Sequence, residues 1–155
     1  MTFGSITIPT ANPITKRTMI TTEETSLLQL ARTFLKAIES GASGDELDAF
    51  YHPLIEQTVY PNSVTKQLTT RNLAHLKAGS LMGKKILASQ QFEIVREYVS
   101  GSTVVLEVVW TGIAAVPLGT VQVGGSMKAW FSQFFDFEEG KIIRQRNYDC
   151  FEPQS

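Results

Sequence analysis

The first third of the chain carries apolar residues at helical spacing. They are Leu27, Leu28, Ala31, Phe34, Leu35 and Ile38. Their recurrence every three or four positions predicts an amphipathic helix. Thr21 and Glu24 form a capping-box pair at its start, because the threonine can cap the backbone and the glutamate can return the bond. Gly41 ends the helix, since glycine readily adopts the left-handed backbone conformation.

Two further helices and a short strand are predicted next. A short helix begins at Asp45 and stops before Pro53, because a proline disfavours helix in the residue ahead of it. Residues 56–61 predict a short strand that ends at a proline. Thr70 is the predicted cap of a third helix, whose apolar residues are Leu73, Leu76, Leu81 and Met82.

The second half of the chain changes to long stretches with a period of two. Strands are predicted at residues 87–99, 103–114 and 126–138, with another from residue 141. Residues 115–125 form an apolar loop with one proline and three glycines, which we expect to be a lip over a cavity. Helices followed by an antiparallel meander indicate an α+β domain with its helices packed on one face of the sheet.

The last strand departs from the usual alternation. It has polar or charged side chains at six consecutive positions, namely Arg144, Gln145, Arg146, Asn147, Tyr148 and Asp149. A strand in a small domain normally keeps one face apolar for the core. Both faces of this strand must therefore contact something other than an apolar core.

Composition and charge fit one domain and exclude several classes of partner. The chain has 155 residues, of which 43% are hydrophobic and 19% charged, and its formal net charge is −1. A chain of this length buries about 68–70% of its unfolded surface. Its charge creates no field for nucleic acid or an anionic membrane, and no apolar run approaches the ~20 residues of a membrane span. We therefore expect no nucleic-acid partner and no membrane.

Cysteine and histidine are scarce. Cys150 is the only cysteine, so no internal disulfide can form and a reducing, cytoplasmic location is expected. One cysteine and two histidines offer no zinc-type spacing, and no glycine-rich phosphate loop follows a strand. We expect neither a metal nor a cofactor. Residues 1–22 are rich in threonine and are expected to be an arm ahead of a domain at 23–153, rather than a transit peptide, which would carry more arginine.

Two stretches resemble a known superfamily. They are "FYHPLIEQTVYPN" at 50–62 and "FDFEEGKIIRQRNYDCFEP" at 135–153. With the order of elements, they resemble the nuclear transport factor 2-like superfamily, particularly its SnoaL-like branch, over residues 23–153. The resemblance implies an α+β fold in which a cone-shaped, strongly bent antiparallel sheet wraps around three N-terminal helices. It also implies a deep pocket and an outer sheet face that often pairs with a second subunit.

Aligning "EGKI" with the family gives a register for the last two strands. Because strand residues alternate, the implied pocket-facing residues are Ala129, Phe131, Gln133, Phe135, Gln145, Asn147 and Asp149. The implied outer face carries Trp130, Phe134, Arg144, Arg146 and Tyr148. This set predicts a homodimer surface, since aromatic residues and arginine are enriched at interfaces. The alternative is that the N-terminal arm covers this face.

The resemblance also implies where catalytic groups would stand. Limonene epoxide hydrolase-like members use two aspartates and an arginine, and this chain has Val108, Trp110 and Asn147 at those positions. None of these can transfer the required protons, so that chemistry is rejected there. SnoaL-like cyclases use an aspartate near the position of Asn147. An amide cannot replace it as a base, but it can donate to a carbonyl or enolate oxygen.

Asp149 and His75 are the remaining candidates for proton transfer. Apolar walls could raise the pKa of Asp149 and make it a general base, or the carboxylate could be solvated at the pocket mouth or paired with an arginine. As a base, Asp149 would be displaced by one strand repeat, roughly 6.6–7 Å, from the position at which the family places its aspartate, too far to serve a substrate bound in the family's pose. His75 titrates near neutral pH, and the alternative for it is an ordinary surface or core position.

The other candidates would form the pocket wall or recognise a polar group. Tyr60 could orient a carbonyl group, and the wall candidates are Val108, Trp110, Phe131 and Phe135. Each of them could instead be a core residue. Gln133 and Gln145 are candidate ligand contacts. Gln133 and Asn147 could recognise a polar ligand group, or the two amides could satisfy each other.

Two hypotheses on function follow. In the first, the protein binds a small apolar organic molecule in the pocket without chemistry. In the second, it is a cyclase, isomerase or dehydratase that acts by acid–base chemistry on a polyketide- or terpenoid-like ring. The pocket discriminates between them, because the enzyme hypothesis fails if neither Asp149 nor His75 lines it.

Overall fold

The computed structural model describes residues 19–154. Its helices are α1 (Thr22–Glu39), a 3₁₀ helix (Gly44–Ala49) and α2 (Leu73–Ile86). Its strands are β1 (Tyr51–Val59), β2 (Thr69–Arg71), β3 (Leu87–Ser100), β4 (Thr103–Ala114), β5 (Ser126–Glu138) and β6 (Lys141–Phe151). The predicted α+β fold, with a bent sheet around three helices, is confirmed.

The six strands form one sheet in the order β2-β1-β6-β5-β4-β3. The strands β3 to β6 form the predicted antiparallel meander. One pair differs from the predicted antiparallel sheet, because β1 and β6 run parallel. A parallel pair requires a long crossover, which β2, α2 and the whole meander provide here. The crossover brings the polar strand β6 to the centre of the sheet.

Helix α1 packs on the sheet and forms the core with it. Its predicted capping box is present: the Glu24 amide donates to Thr21 Oγ1 at 3.0 Å, and the Thr21 amide donates to Glu24 Oε2 at 3.1 Å. Five of the six apolar residues are buried, and the ring of Phe34 contacts those of Tyr51 and Phe135. Gly41 has the predicted left-handed backbone, with φ of 95°.

The start of the third helix differs from the prediction. Thr70 does not cap it but lies in β2, where it pairs with Thr58 of β1, because two successive β-branched threonines favour extended backbone. Asn72 is the cap: the His75 amide donates to Asn72 Oδ1 at 3.0 Å, and the Asn72 amide donates to His75 Nδ1 at 3.3 Å. The predicted helix is therefore correct in its existence and wrong at its start.

The strand β1 begins earlier than predicted, at Tyr51, and includes Pro53. A shift in the β1–β6 register between Tyr51 and Glu56 leaves this proline outside the regular ladder, which explains why the strand tolerates it. The predicted bounds of the later strands are correct to within one residue. The predicted N-terminal arm lies mainly outside the described residues. The alternative that this arm covers the outer face therefore lies outside them as well.

The register predicted for β6 is confirmed by burial. Gln145 and Asn147 are buried, whereas Arg144 is exposed and Tyr148 retains 43% of its surface. Alternation therefore gives β6 two polar faces, one toward the helices and one toward the outside. Across residues 19–154, no helix is both long and apolar enough to cross a membrane.

Candidate functional site

A cavity of about 470 Å³ lies on the concave side of the sheet, between β6 and the two α-helices. We call it the inner cavity. Apolar side chains from α1, β3, β4 and β5 form much of its wall. Its polar and charged side chains are Tyr51, Gln57, Arg71, His75, Ser80, Gln90, Gln133, Gln145, Asn147 and Asp149.

Three buried side chains form a chain of hydrogen bonds across its floor. Tyr51 Oη donates to Gln145 Oε1 at 2.9 Å, and Gln145 Nε2 donates to Asn147 Oδ1 at 3.0 Å. Burial raises the pKa of Tyr51 well above its usual value, so the phenol remains a donor. The Tyr51 hydroxyl therefore fixes the orientation of the Gln145 amide, and that amide donates its hydrogen bond to the side-chain carbonyl oxygen of Asn147. The Asn147 Nδ2 amine donates to no described residue and is available to the cavity.

Asp149 is the next inward residue of β6. Burial raises its pKa to about 6, and the charge of Arg71 opposes that rise. Its Oδ1 atom is buried and accepts no hydrogen bond from any described residue. Buried polar atoms normally have a partner. The carboxylate is thus desolvated without being neutralised, which is the environment of a strengthened base.

Arg71 reaches the same cavity from β2. It is the register partner of Gln57 on β1, and its Nη1 donates to Gln57 Oε1 at 3.4 Å. This distance is at the long end for a hydrogen bond. Arg71 is not among the predicted site residues, because residues 69–71 were predicted as the start of a helix rather than as a strand. The pair of threonines before Asn72 was the available signal for a strand there.

His75 lies in the first turn of α2 and lines the cavity while remaining exposed. Its Nδ1 accepts the bond from the Asn72 amide. The neutral ring therefore carries its proton on Nε2. His75 therefore lies at the exposed rim of the cavity, whereas Asp149 is half-buried.

Gln133 of β5 lies beside Asn147, its register partner on β6. Gln133 is buried, and its Oε1 has no hydrogen-bond partner among the described residues. The alternative that Gln133 and Asn147 satisfy each other is not realised, because Asn147 bonds Gln145 instead. Two acceptors, Gln133 Oε1 and Asp149 Oδ1, and one donor, Asn147 Nδ2, are thus available to a molecule in the cavity.

Trp110 forms an aromatic wall whose orientation is fixed. Its Nε1 donates to Gln90 Oε1 at 3.0 Å, and its ring stacks on Phe131 at a centroid distance of 5.8 Å and meets the edge of Phe151 at 6.1 Å. The indole lies over Gly112, where an added Cβ would be 2.6 Å from two indole carbons. Glycine is therefore required at this position for the ring to lie flat.

A second, larger cavity of about 860 Å³ adjoins the first, and Trp110 and Phe151 line both. The apolar loop 115–125 forms part of its wall through residues such as Leu118 and Val121. The predicted lip over a cavity therefore exists, and it borders this loop cavity rather than the inner one.

Three of the predicted pocket residues lie elsewhere. Tyr60 does not line the inner cavity, because Val59 is the inward residue of β1 and alternation turns Tyr60 outward, where its ring stacks on Tyr148 at 4.4 Å. Val108 and Phe135 point inward but are 1% and 0% exposed, below the cavity in the core. The structure places all the other predicted site residues on the cavity lining: Trp110, Phe131, Gln133, Gln145, Asn147, Asp149 and His75.

The outer face carries the five residues predicted for it. Trp130 and Tyr148 are 45% and 43% exposed. Arg146 binds Asp136 at 2.7 Å, and its guanidinium lies 5.4 Å from the ring of Phe134. Arg144 is exposed beside them. Pairing of this face with a second subunit stays a prediction.

Comparison with known proteins identifies the fold. The sequence matches no protein-family model and no curated protein. Solved structures do match. AclR of Streptomyces galilaeus, a proposed hydroxylase, superposes with a TM-score of 0.69 at 15% identity, over 84% of this chain and 82% of AclR.

Two further structures agree with it. An LEH-like epoxide hydrolase of M. tuberculosis gives a TM-score of 0.62 at 19% identity, over 84% of this chain and 85% of its own. A SnoaL-like polyketide cyclase of Agrobacterium tumefaciens gives 0.60 at 15% identity, over 79% and 90%. At these identities the likeness concerns the fold. The chain therefore has the fold of the SnoaL-like and NTF2-like proteins, as the resemblance of its sequence implies.

Proposed function

We propose that the protein is an enzyme that binds a small organic molecule in the inner cavity and transfers a proton on it, with Asp149 as the general base. The observation that carries this proposal is the buried Asp149 carboxylate, whose Oδ1 has no partner among the described residues and whose pKa is raised to about 6. A base with a pKa just below neutral is ionised at physiological pH and accepts protons more readily than an ordinary aspartate.

The proton comes from a carbon next to a carbonyl group. Asp149 takes that proton, the C–H electron pair forms a C=C bond, and the π electron pair of the carbonyl moves onto its oxygen, which gives the enolate. Asn147 Nδ2 donates to this oxygen and stabilises its charge. Residues two apart on a strand are separated by roughly 6.6–7 Å, enough to place the substrate between the two groups. Return of the proton to another carbon isomerises the substrate, and attack of the enolate on a second carbonyl closes a ring.

The surroundings support a substrate with a flat, apolar body. Trp110, Phe131 and Phe151 offer aromatic surfaces beside the polar groups, and a cavity of about 470 Å³ is of the usual size for small-molecule sites. A polyketide- or terpenoid-like ring fits this description, and neighbours described as a SnoaL-like polyketide cyclase and an LEH-like epoxide hydrolase support it by analogy of fold. Val108, Trp110 and Asn147 disfavour epoxide hydrolysis, because they replace its three charged groups.

The test uses exchange of carbon-bound protons. Bicyclic ketones and β-ketoesters are incubated with the protein in D₂O, and loss of the proton next to the carbonyl is followed by NMR. Asp149→Asn should lower the exchange rate by about 10²–10⁴-fold, as expected for loss of a general base. Glu56→Gln is the matched control, since it removes an exposed carboxylate outside the inner cavity. Equal rates for the wild type and Asp149→Asn would contradict the proposal.

Binding without chemistry is the second candidate, and the amide at position 147 favours it. Asn147 can hold a carbonyl oxygen but cannot move a proton. In this case Asn147→Ala weakens the retention of a co-purifying ligand, measured by mass spectrometry, while no ketone exchanges faster with the protein than without it. Faster exchange that depends on Asp149 contradicts this candidate.

A further inference from the structure

Arg71 brings a positive charge to the inner cavity. The side chain is half-buried and comes from β2 at the edge of the sheet. The other titratable residues of the cavity lining are Tyr51, His75 and Asp149. The lining contributed by α1, β3, β4 and β5 is uncharged. The charge of Arg71 is therefore balanced, if at all, by groups on β1, α2 and β6.

No described carboxylate contacts the Arg71 guanidinium, although its charge acts on Asp149 through space. The Arg71 side chain forms no ion pair among residues 19–154, and its only hydrogen bond there is the long one to Gln57. Other arginines of the described chain do contact a carboxylate, namely Arg32, Arg96 and Arg146. Leaving a partly buried charge without a partner is unfavourable. The guanidinium is held toward the cavity by Gln57 while most of its five donors remain unused.

Asp149 is in the same cavity, yet it does not serve as the partner. Its Oδ1 accepts no hydrogen bond from a described residue, and no Arg71–Asp149 ion pair is present. A direct pair would stabilise the carboxylate and make it a poor base. The Arg71 guanidinium and the Asp149 carboxylate therefore line one cavity without contacting each other.

We infer that Arg71 binds a negatively charged oxygen of the substrate, so that the substrate class is an aromatic or polycyclic carbonyl compound carrying a carboxylate. Arginine suits this role because its planar donors bind a carboxylate through two parallel hydrogen bonds. The carboxylate is held at the β2 edge, the aromatic body lies against Trp110 and Phe131, and the reacting carbon faces Asp149. The chemistry rests on the proposed function, but the binding is testable without it.

The binding test compares two probes of the same shape. Isothermal titration calorimetry measures 2-naphthoate and the neutral 2-naphthamide with the wild type, Arg71→Met and Arg71→Lys. The wild type should prefer the carboxylate by about 10- to 100-fold, the usual worth of a hydrogen bond to a charged group. Arg71→Met should remove this preference, and Arg71→Lys should retain part of it. Arg144→Met is the matched control, because that arginine is exposed on the outer face.

The outcomes separate this inference from the proposed function. Equal affinity of the two probes for the wild type, an unchanged preference in Arg71→Met, or no binding of either probe at millimolar concentration overturns the inference. Thermal melting checks that each variant is folded. Asp149→Asn should bind 2-naphthoate at least as tightly as the wild type, since it removes a repelling charge. Loss of ketone exchange in Asp149→Asn with no carboxylate preference would support the proposed function and overturn the role of Arg71.

Discussion

At the scale of single residues, the site depends on how the neighbours of each polar group are arranged. The Tyr51 hydroxyl donates to Gln145 Oε1, and Gln145 Nε2 donates to Asn147 Oδ1. These two bonds leave the amide NH₂ group of Asn147, rather than its carbonyl oxygen, available to the cavity. Asn147 Nδ2 can therefore stabilise a negative charge on a molecule bound in the cavity. Asp149, one repeat further along β6, lies beyond this chain of bonds and remains a base.

Asp149 should make the stability of the fold depend on pH. Its pKa is about 6 in the folded protein, against an ordinary value of 3.8, so the folded state holds the proton more tightly. The contribution of Asp149 to stability is therefore greatest below about pH 4 and falls as pH rises through 6, by about 2 kcal/mol after allowance for solvent in the cavity. Asp149→Asn removes this loss. Urea unfolding should show the variant to be more stable at pH 7.5 and equal at pH 4.

Asp136 provides a comparison of opposite sign. Burial alone would raise its pKa, but hydrogen bonds from Arg146 and Thr103 lower it on balance. Its contribution to stability is present above its unfolded pKa and is lost as pH falls through the folded value. Asp136→Asn should thus be less stable than the wild type at pH 7.5. A stability of Asp149→Asn below that of the wild type at this pH would contradict the desolvation of Asp149.

At the scale of elements, β4 holds the aromatic wall by means of a glycine. Gly112→Ala would place a Cβ 2.6 Å from the Trp110 indole, so the ring must leave its present position, in which it stacks on Phe131. We expect a loss of about 1–3 kcal/mol in the free energy of unfolding, as is usual for overpacking. A change in Trp110 fluorescence, measured in a Trp130→Phe background, should accompany it.

The matched control is Gly83→Ala in α2. A Cβ there meets no atom within 4 Å, and alanine favours helix over glycine by about 0.5–1 kcal/mol. This variant should be slightly more stable and should leave the fluorescence unchanged. Equal stability of Gly112→Ala and the wild type would show that the indole is not held against the backbone of β4.

The elements also show what the sequence can predict and where it stops. Long strands with a period of two were predicted to within one residue, whereas the register of β6 came from the resemblance of "EGKI" to the family. The three-residue strand β2 was missed, because so short an extended segment has no periodicity of its own. Arg71 was missed as a site residue for the same reason, because its position depends on the pairing of β2 with β1. Tyr60 was a candidate by analogy with the family, and the parity of β1, which turns it outward after the buried Val59, could not be predicted from the sequence.

At the scale of the whole molecule, alternation along β6 gives the central sheet two separate polar surfaces. Gln145, Asn147 and Asp149 face the cavity, while Arg144 and Tyr148 face outward beside Trp130 of β5. An exposed aromatic surface rimmed by arginines is typical of a protein interface. We propose that two copies of the chain pair through this face. The cavity opens on the opposite side of the sheet, so association and chemistry should be separable.

Substitution of Trp130 tests this separation. Light scattering after size-exclusion chromatography should show a dimer for the wild type and a monomer for Trp130→Glu, because removing water from a charge on association costs free energy and the aromatic contact is lost. Leu54→Glu is the control, since Leu54 is a 76% exposed residue of β1 outside the aromatic patch, and it should remain dimeric. Ketone exchange should be the same in the Trp130→Glu monomer as in the dimer. A wild type that is monomeric at high micromolar concentration would contradict pairing through this face, whereas a monomer without exchange would show that the partner subunit supports the inner cavity.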